Sequence, residues 1–217
     1  MILLLGPVAG VIGGRKLQTV SSRKTIYLGN ALNLVVLGAI TAAIDITHGR
    51  RAIDLVAGSR SSRDLLMWSV FIVAVCVTLV VVALVLRKSL RRPPKSSVIA
   101  LLPQTIGEKV GFAFLCVLIA AIEEFIYRGF ALSALREWLP SDIVAVGLVC
   151  VSFALMHGLQ DWIAIVLAFG QGVVLSIPVL VVNSLVPSIA GHFAANLITG
   201  LFLLGILQRF AMLHVDG

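Results

Sequence analysis

The sequence predicts an all-α fold, a polytopic membrane helical bundle with about six to eight transmembrane helices. Of its residues, 59% are hydrophobic and only 12% are charged. The mean hydropathy of +1.09 is far above that of soluble proteins. Several apolar runs approach or exceed the length of about 18–20 residues needed to cross a hydrocarbon layer about 30 Å thick. The chain is therefore expected to be a multi-pass integral membrane protein that forms one compact domain.

Six apolar runs are predicted as membrane-spanning helices, and a shorter run over residues 1–14 is a further candidate. The Arg-Arg-Pro-Pro sequence at 91–94 should end the second of these helices, because paired prolines cannot continue a helix. Residues 95–108 then form a linker or a short interfacial helix. The six runs cover residues 26–46, 66–86, 109–137, 142–158, 161–183 and 187–208.

Charge divides the chain into two parts. Residues 1–95 hold most of the 17 Lys and Arg residues, in short stretches between apolar runs, and are interpreted as accessory transmembrane spans with basic loops. Residues 96–217 hold four closely connected helices and every buried ionisable candidate, and are interpreted as the core of the bundle. Basic residues next to apolar runs are typical of charges that contact anionic head groups. The net charge of +7 therefore predicts membrane lipids as partners and no nucleic acid, while the membrane orientation stays open.

The most informative feature is a group of two glutamates and one arginine within the run 109–137. Each ionised side chain at bilayer depth costs roughly 2.5 kcal/mol or more, so Glu123, Glu124 and Arg128 need a function. Glu124 and Arg128 are four residues apart and can form an ion pair on one helix face. Glu123 lies about 100° around the helix, at the midpoint of the run, where it can act as a general base or acid. The alternative is a helix that ends near residue 122 and leaves both glutamates at the membrane surface.

Two later runs carry polar residues at helical spacing. Phe153 and His157 are four residues apart in one run, and His192 and Asn196 are four residues apart in another. A single histidine can also be a satisfied core residue, and His192 with Asn196 can also be a polar contact between closely packed helices. However, the three motifs together account for nearly all of the polar cost within the predicted spans. Their joint presence favours one polar site inside the membrane.

In this order, the motifs GluGlu-x-x-x-Arg-Gly, Phe-x-x-x-His and His-x-x-x-Asn resemble those of the CPBP family. These are the CAAX-protease and bacteriocin-processing membrane endopeptidases, also called Abi proteins, which are related to the type II CAAX prenyl endopeptidase. The resemblance covers residues 109–208, and the local sequences EEFIYRGFAL at 123–132 and NSLVPSIAGHFAANL at 183–197 agree with it. Tyr127 stands where phenylalanine is common in the family. Residues 1–95 carry no family signal.

The resemblance implies an enzyme, an intramembrane endopeptidase of the CAAX prenyl protease 2 type with a four-helix catalytic core. It implies that Glu123 activates a water with the help of His157, that His192 and Asn196 hold the developing oxyanion, and that the Glu124–Arg128 pair supports the site. Peptide hydrolysis needs such a base and such donors. No Ser or Cys lies in the motifs, so an acyl-enzyme is not indicated.

The resemblance leaves the part of a metal open. Zinc could be held by Glu123, His157 and His192, and the family is often labelled as metalloproteases. The HExxH signature is absent, however, and these ligands would come from three different helices. A water activated by glutamate, without a cofactor, is the preferred interpretation.

Two other classes of function are alternatives. A proton-coupled transporter also carries Glu, His and Arg inside the membrane, but it would favour broken helices and paired halves, which this sequence does not show. The other alternative is a non-catalytic membrane scaffold or immunity protein that keeps the bundle. For a protease, the expected substrates are membrane-associated peptides or proteins of a CAAX-like or leader type. The expected location is the plasma membrane of a bacterial cell.

Overall fold

The computed structural model describes residues 23–49, 52–57, 60–92, 102–157 and 161–212, with the backbone alone for 202–212. The predicted segment 1–14 and much of the predicted linker 95–108 lie outside these residues. All regular structure in the described residues is helical, which confirms the predicted all-α membrane bundle. Four helical stretches are long and apolar enough to cross a membrane, and Asp142–Met156 is a shorter apolar helix. The four are Arg23–Thr47, Ser62–Ser89, Ile106–Trp138 and Trp162–Val182.

The helices agree with the predicted runs to within a few residues at most ends. In chain order they are α1 (Arg23–Thr47), α2 (Asp54–Ala57), α3 (Ser62–Ser89), α4 (Ile106–Glu124), a π-helix (Phe125–Ala131), α5 (Leu132–Trp138), α6 (Asp142–Met156), α7 (Trp162–Val182) and α8 (Val186–Met212).

Local sequence signals set where these helices begin and end. The side chain of Ser61 accepts a hydrogen bond from the backbone N–H of Asp64 and caps α3. Thr105 and Glu108 form a reciprocal capping box at the start of α4. Helix α3 ends at Ser89, and Arg91 follows with a φ of 49°. The predicted stop ahead of the paired prolines is therefore confirmed.

Helix α3 packs along α8 through one buried face, while much of its remaining surface is exposed. Ile72 and Cys76 of α3 are both 0% exposed, and they pack with Leu175 of α7. Gly191 of α8 permits this approach, because a Cβ at that position would lie 2.6 Å from Cγ2 of Ile72. Part of the predicted accessory region thus packs directly against the helix that carries His192.

The connection after α1 folds back against the bundle through a buried aspartate. Asp45 is 2% exposed, and its Oδ2 accepts a hydrogen bond of 2.7 Å from the backbone N–H of Ala52. The carbonyl of Leu55 then accepts a hydrogen bond of 2.8 Å from the backbone N–H of Leu185, just before α8. Asp45 was not predicted as a buried residue. Its carboxylate holds Ala52 against the end of α1, and α2 in turn contacts the residue before α8.

An ion pair joins the end of α3 to the start of α7. Both guanidinium Nη atoms of Arg87 donate to the Asp161 carboxylate, which also caps α7 by accepting from the backbone N–H of Ala164 at 3.0 Å. Burial alone would raise the pKa of Asp161, but the hydrogen bonds from Arg87 and the backbone outweigh it and hold the pKa below its ordinary value. The ionised form of this carboxyl therefore stabilises the fold.

Gly191→Ala should lower the melting temperature, because the added Cβ collides with Ile72, and overpacking of a core costs about 1–3 kcal/mol. Thermal unfolding of the purified protein in detergent measures the shift. Gly147→Ala is the matched control, since no atom lies within 4 Å of a Cβ placed there, and alanine favours a helix. Adding Ile72→Ala to Gly191→Ala should recover part of the loss. A double variant with no recovery would exclude this contact as the cause.

Asp161→Asn should cost roughly 1.5–3 kcal/mol at neutral pH, the range for hydrogen bonds to charged groups. Because the folded-state pKa is lowered, the contribution is complete above the unfolded-state pKa of about 4 and is lost as the pH falls through the folded-state pKa. The difference in melting temperature from the unchanged protein should therefore shrink below about pH 4. Asp142→Asn is the control, because the Arg136–Asp142 pair is 38% and 52% exposed. A pH-independent difference for Asp161→Asn would contradict the assignment.

Candidate active site

Four helices line a cavity of about 320 Å³ in the part of the bundle that the structure describes, namely α4, α6, α7 and α8. Helical spacing brings the polar residues to its walls. Helix α4 contributes Glu123, and α8 contributes His192 and Asn196, one turn apart. His157, which follows the last residue of α6, closes the same cavity. The four residues predicted to act together thus line one space, although they come from three separate motifs.

The most buried part of the site is a network around one oxygen of Glu124. Its Oε1 accepts a hydrogen bond of 2.8 Å from Nη1 of Arg128 and one of 2.7 Å from Nδ1 of His192. The side chains of Glu124 and Arg128 are both 0% exposed. Glu124 Oε2 and Arg128 Nε have no hydrogen-bond partner among the described residues. The predicted Glu124–Arg128 pair is present. The hydrogen bond between Glu124 and His192 was not predicted.

Glu123 is turned away from this network and faces the cavity. Its side chain is 15% exposed, and its Oε2 lies 3.8 Å from Nε2 of His192. That distance is too long for a hydrogen bond, but it leaves the two atoms near enough to contact one small group between them. The two adjacent glutamates therefore have different surroundings, as their 100° separation around the helix predicts.

The hydrogen bonds of the two histidines fix which ring nitrogen carries a proton. Nδ1 of His192 faces a carboxylate oxygen, and Nδ1 of His157 faces the backbone carbonyl of Phe153 at 3.0 Å. Both acceptors lack a proton, so each Nδ1 is the donor. The Nε2 of a neutral histidine in this arrangement can only accept, and it donates only when the ring is protonated. No hydrogen bond joins His157 to Glu123 in the described part of the chain.

Phe153 packs against most of the site. The guanidinium carbon of Arg128 lies 4.5 Å from the centroid of the Phe153 ring, a cation–π distance. The rings of Tyr127, His157 and His192 lie 5.3, 5.1 and 5.7 Å from it, centroid to centroid. Phe153 was predicted only as the start of the Phe-x-x-x-His motif. Its ring separates the two histidines and covers the buried arginine.

The predicted helix over 109–137 is continuous from Ile106 to Trp138, but its middle differs from an ordinary α-helix. Residues Phe125–Ala131 form a π-helix, in which the backbone N–H of Leu132 donates to the carbonyl of Tyr127, five residues earlier. Such turns are rare and frequently occur at functional sites. The glycine of the first motif lies here, and a Cβ on Gly129 would sit 3.3 Å from Leu185 and 3.4 Å from Ala52. The alternative of a helix that ends near residue 122 is wrong, since helical structure continues to Trp138.

Comparison with known families supports the motif assignment. Residues 105–198 match the family model described as type II CAAX prenyl endopeptidase Rce1-like. The predicted resemblance to the CPBP family is confirmed. The Rce1-like match suggests an intramembrane protease of the CAAX type, in agreement with the apolar helices. Neither the comparison with curated proteins nor that with solved structures gave a match.

The Rce1-like region contains a polar cavity residue that was not predicted. Gln171 of α7 is 9% exposed and lines the cavity together with Glu123 and His192. Its neighbour Gly172 supplies a carbonyl that accepts from Nη2 of Arg128 at 3.3 Å. A glutamine inside the apolar run 161–183 was the available signal, but it belongs to none of the three motifs.

The residues that line this cavity do not fit a zinc ion. Zinc is usually held by three or four protein ligands, and no group of three His, Cys, Asp or Glu side chains among the described residues has the required geometry. One nitrogen of His192 is also committed to Glu124. The set Glu123, His157 and His192, named above as the metal alternative, lines the cavity without converging on one point. No step of the chemistry below uses a metal.

Breaking the Glu124–Arg128 pair should be severe. Glu124→Gln or Arg128→Met each leaves a buried charge without its partner, at a cost of about 3–5 kcal/mol. We expect low yields and lower melting temperatures for both, and partial recovery in the double variant. Arg136→Gln is the control, because Arg136 forms an exposed pair. Losses that simply add in the double variant would argue against direct contact.

Proposed function

We propose that the chain is an intramembrane endopeptidase that hydrolyses a peptide bond with a water activated by Glu123. The observation that carries the proposal is the meeting of Glu123, His157, His192 and Asn196 at one buried cavity. Its substrates would be membrane-associated peptides or proteins, with a prenylated CAAX-type C-terminus as the first candidate because of the family match. Its proposed location is the plasma membrane of a bacterial cell.

In this mechanism Glu123 takes a proton from the water while the water oxygen attacks the carbonyl carbon. The Nε2 of His157 is free to accept a hydrogen bond, because Nδ1 donates to the Phe153 carbonyl. It can therefore orient the water beside Glu123. When the tetrahedral intermediate collapses, the carbon–nitrogen bond breaks and Glu123 returns the proton to the leaving amine. One glutamate thus serves as base and then as acid.

The oxyanion would be held from α8. Asn196 offers a side-chain N–H, and His192 offers Nε2–H when its ring is protonated. A protonated His192 with Arg128 balances the two carboxylates of Glu123 and Glu124, so the site carries no net charge in this state. Donors fixed before the reaction in a site with little water stabilise an oxyanion more than donors in bulk water do.

Glu123→Gln should lower turnover by about 100-fold or more, because glutamine keeps the shape of the side chain but cannot accept the proton. The test is cleavage of a fluorogenic prenylated peptide ending in Cys-aliphatic-aliphatic-X by the reconstituted protein. Glu137→Gln is the matched control, because this exposed glutamate lies at the end of α5, outside the cavity. Near-normal turnover by purified Glu123→Gln would refute the mechanism.

Substrate class needs a second measurement. Membranes of cells that carry either the unchanged protein or Glu123→Ala can be compared by proteomics for C-terminal and leader fragments. Fragments present only with the unchanged protein would identify the substrate type. No difference in fragments, together with no cleavage of the probe, would favour the transporter or the scaffold.

A further inference from the structure

The side chain of Gln171 is buried at the cavity, and its amide nitrogen has no partner in the part of the chain that the structure describes. The residue is 9% exposed, and its Nε2 has no hydrogen-bond partner among the described residues. Buried polar groups are nearly always hydrogen-bonded, so an unpaired one needs an explanation. Leucine or methionine would fill the same volume in a membrane helix without this cost. The carboxamide therefore indicates a partner from outside the described chain.

The backbone that carries Gln171 is held in place by the neighbouring residue. The carbonyl of Gly172 accepts from Nη2 of Arg128 at 3.3 Å and from the hydroxyl of Ser176 at 2.8 Å. A Cβ on Gly172 would lie 3.1 Å from Sγ of Cys150, so α7 approaches α6 closely at this level. Gln171 thus sits at the depth of the Glu124–Arg128 pair, on a wall of the cavity that is separate from the wall formed by α8.

A carboxamide offers N–H donors and a carbonyl acceptor together. In an extended peptide, the backbone N–H and C=O of one residue point to the same side, so they can pair with a carboxamide through two hydrogen bonds. We propose that Gln171 binds the substrate backbone, by pairing with the N–H and C=O of one residue next to the scissile bond. The proposal rests on the endopeptidase function above and adds a residue to it. It assigns backbone binding to α7 and leaves the oxyanion to α8.

Binding measured apart from cleavage tests this assignment. The probe is a fluorescent prenylated peptide ending in Cys-aliphatic-aliphatic-X, and its Kd is measured by anisotropy on reconstituted Glu123→Gln protein, which should not cleave it. Adding Gln171→Leu should raise the Kd about 5-fold to 10-fold, as expected for one or two lost hydrogen bonds. Gln171→Met serves the same purpose if the leucine variant folds poorly. Thr78→Ala is the control, since this exposed hydroxyl of α3 bonds a carbonyl of its own helix and does not line the cavity.

Peptides with single N-methylated backbone amides around the scissile bond provide the second readout. At the substrate residue whose N–H pairs with Gln171, methylation should weaken binding by a similar factor when Gln171 is present and have little further effect in Gln171→Leu. A purely structural role would not produce this dependence on one substrate atom. In the cleaving enzyme, Gln171→Leu should raise KM and leave kcat within about 2-fold, because ground-state binding and not the oxyanion is affected.

The outcomes separate the two proposals. An unchanged Kd for Gln171→Leu, or equal methylation effects with and without the glutamine, overturns the assignment of Gln171 whatever the activity. A fall in kcat with KM unchanged also overturns it and would move Gln171 to the oxyanion. If the unchanged protein cleaves nothing while binding still depends on Gln171, hydrolysis is refuted and the binding role stands.

Discussion

The site depends on the sharing of one carboxylate oxygen, Oε1 of Glu124, between Arg128 and His192. In an apolar interior each of these charges alone would be costly, and no bulk water is available to replace a lost partner. The two hydrogen bonds therefore act as a constraint on the bundle. They fix α8 against the end of α4, and Arg128 extends the link to α7 through the Gly172 carbonyl. The cavity lies where these three helices meet the end of α6.

The N-terminal helices complete this arrangement from outside the family match. Ile72 of α3 fills the space behind α8 next to Gly191, one residue before His192. Ala52, held by Asp45, and Leu185 both lie against Gly129 in the π-helix. The wider π-helical turn and the glycine let the backbone carrying Arg128 approach these neighbours closely. Residues outside 105–198 thus set the position of the site without carrying any of its motifs.

Much of this could be predicted from the sequence because it depends on local spacing. The lengths of the apolar runs predicted the described helices. The four-residue separation of Glu124 and Arg128 predicted their ion pair. The π-helix could not be predicted, since such turns are rare and residue spacing alone does not distinguish them from an α-helix. The bond from His192 to Glu124 joins residues 68 apart, so it depends on the arrangement of the helices. Gln171 was missed because it lies outside the motifs, and Asp45 because it lies at a helix end.

The two adjacent glutamates show how one backbone segment supplies two different carboxylates. Glu124 is 0% exposed and has its Oε1 engaged by two donors, whereas Glu123 is 15% exposed and has His192 Nε2 no nearer than 3.8 Å. Among the described residues, Glu123 makes no such hydrogen bond, so its carboxylate is the one of the two that is free to contact a group in the cavity. His192 lies between them, with Nδ1 toward Glu124 and Nε2 toward Glu123. The proposed division of roles therefore follows from which donors each glutamate meets, and the 100° turn between neighbouring helical residues is what separates them.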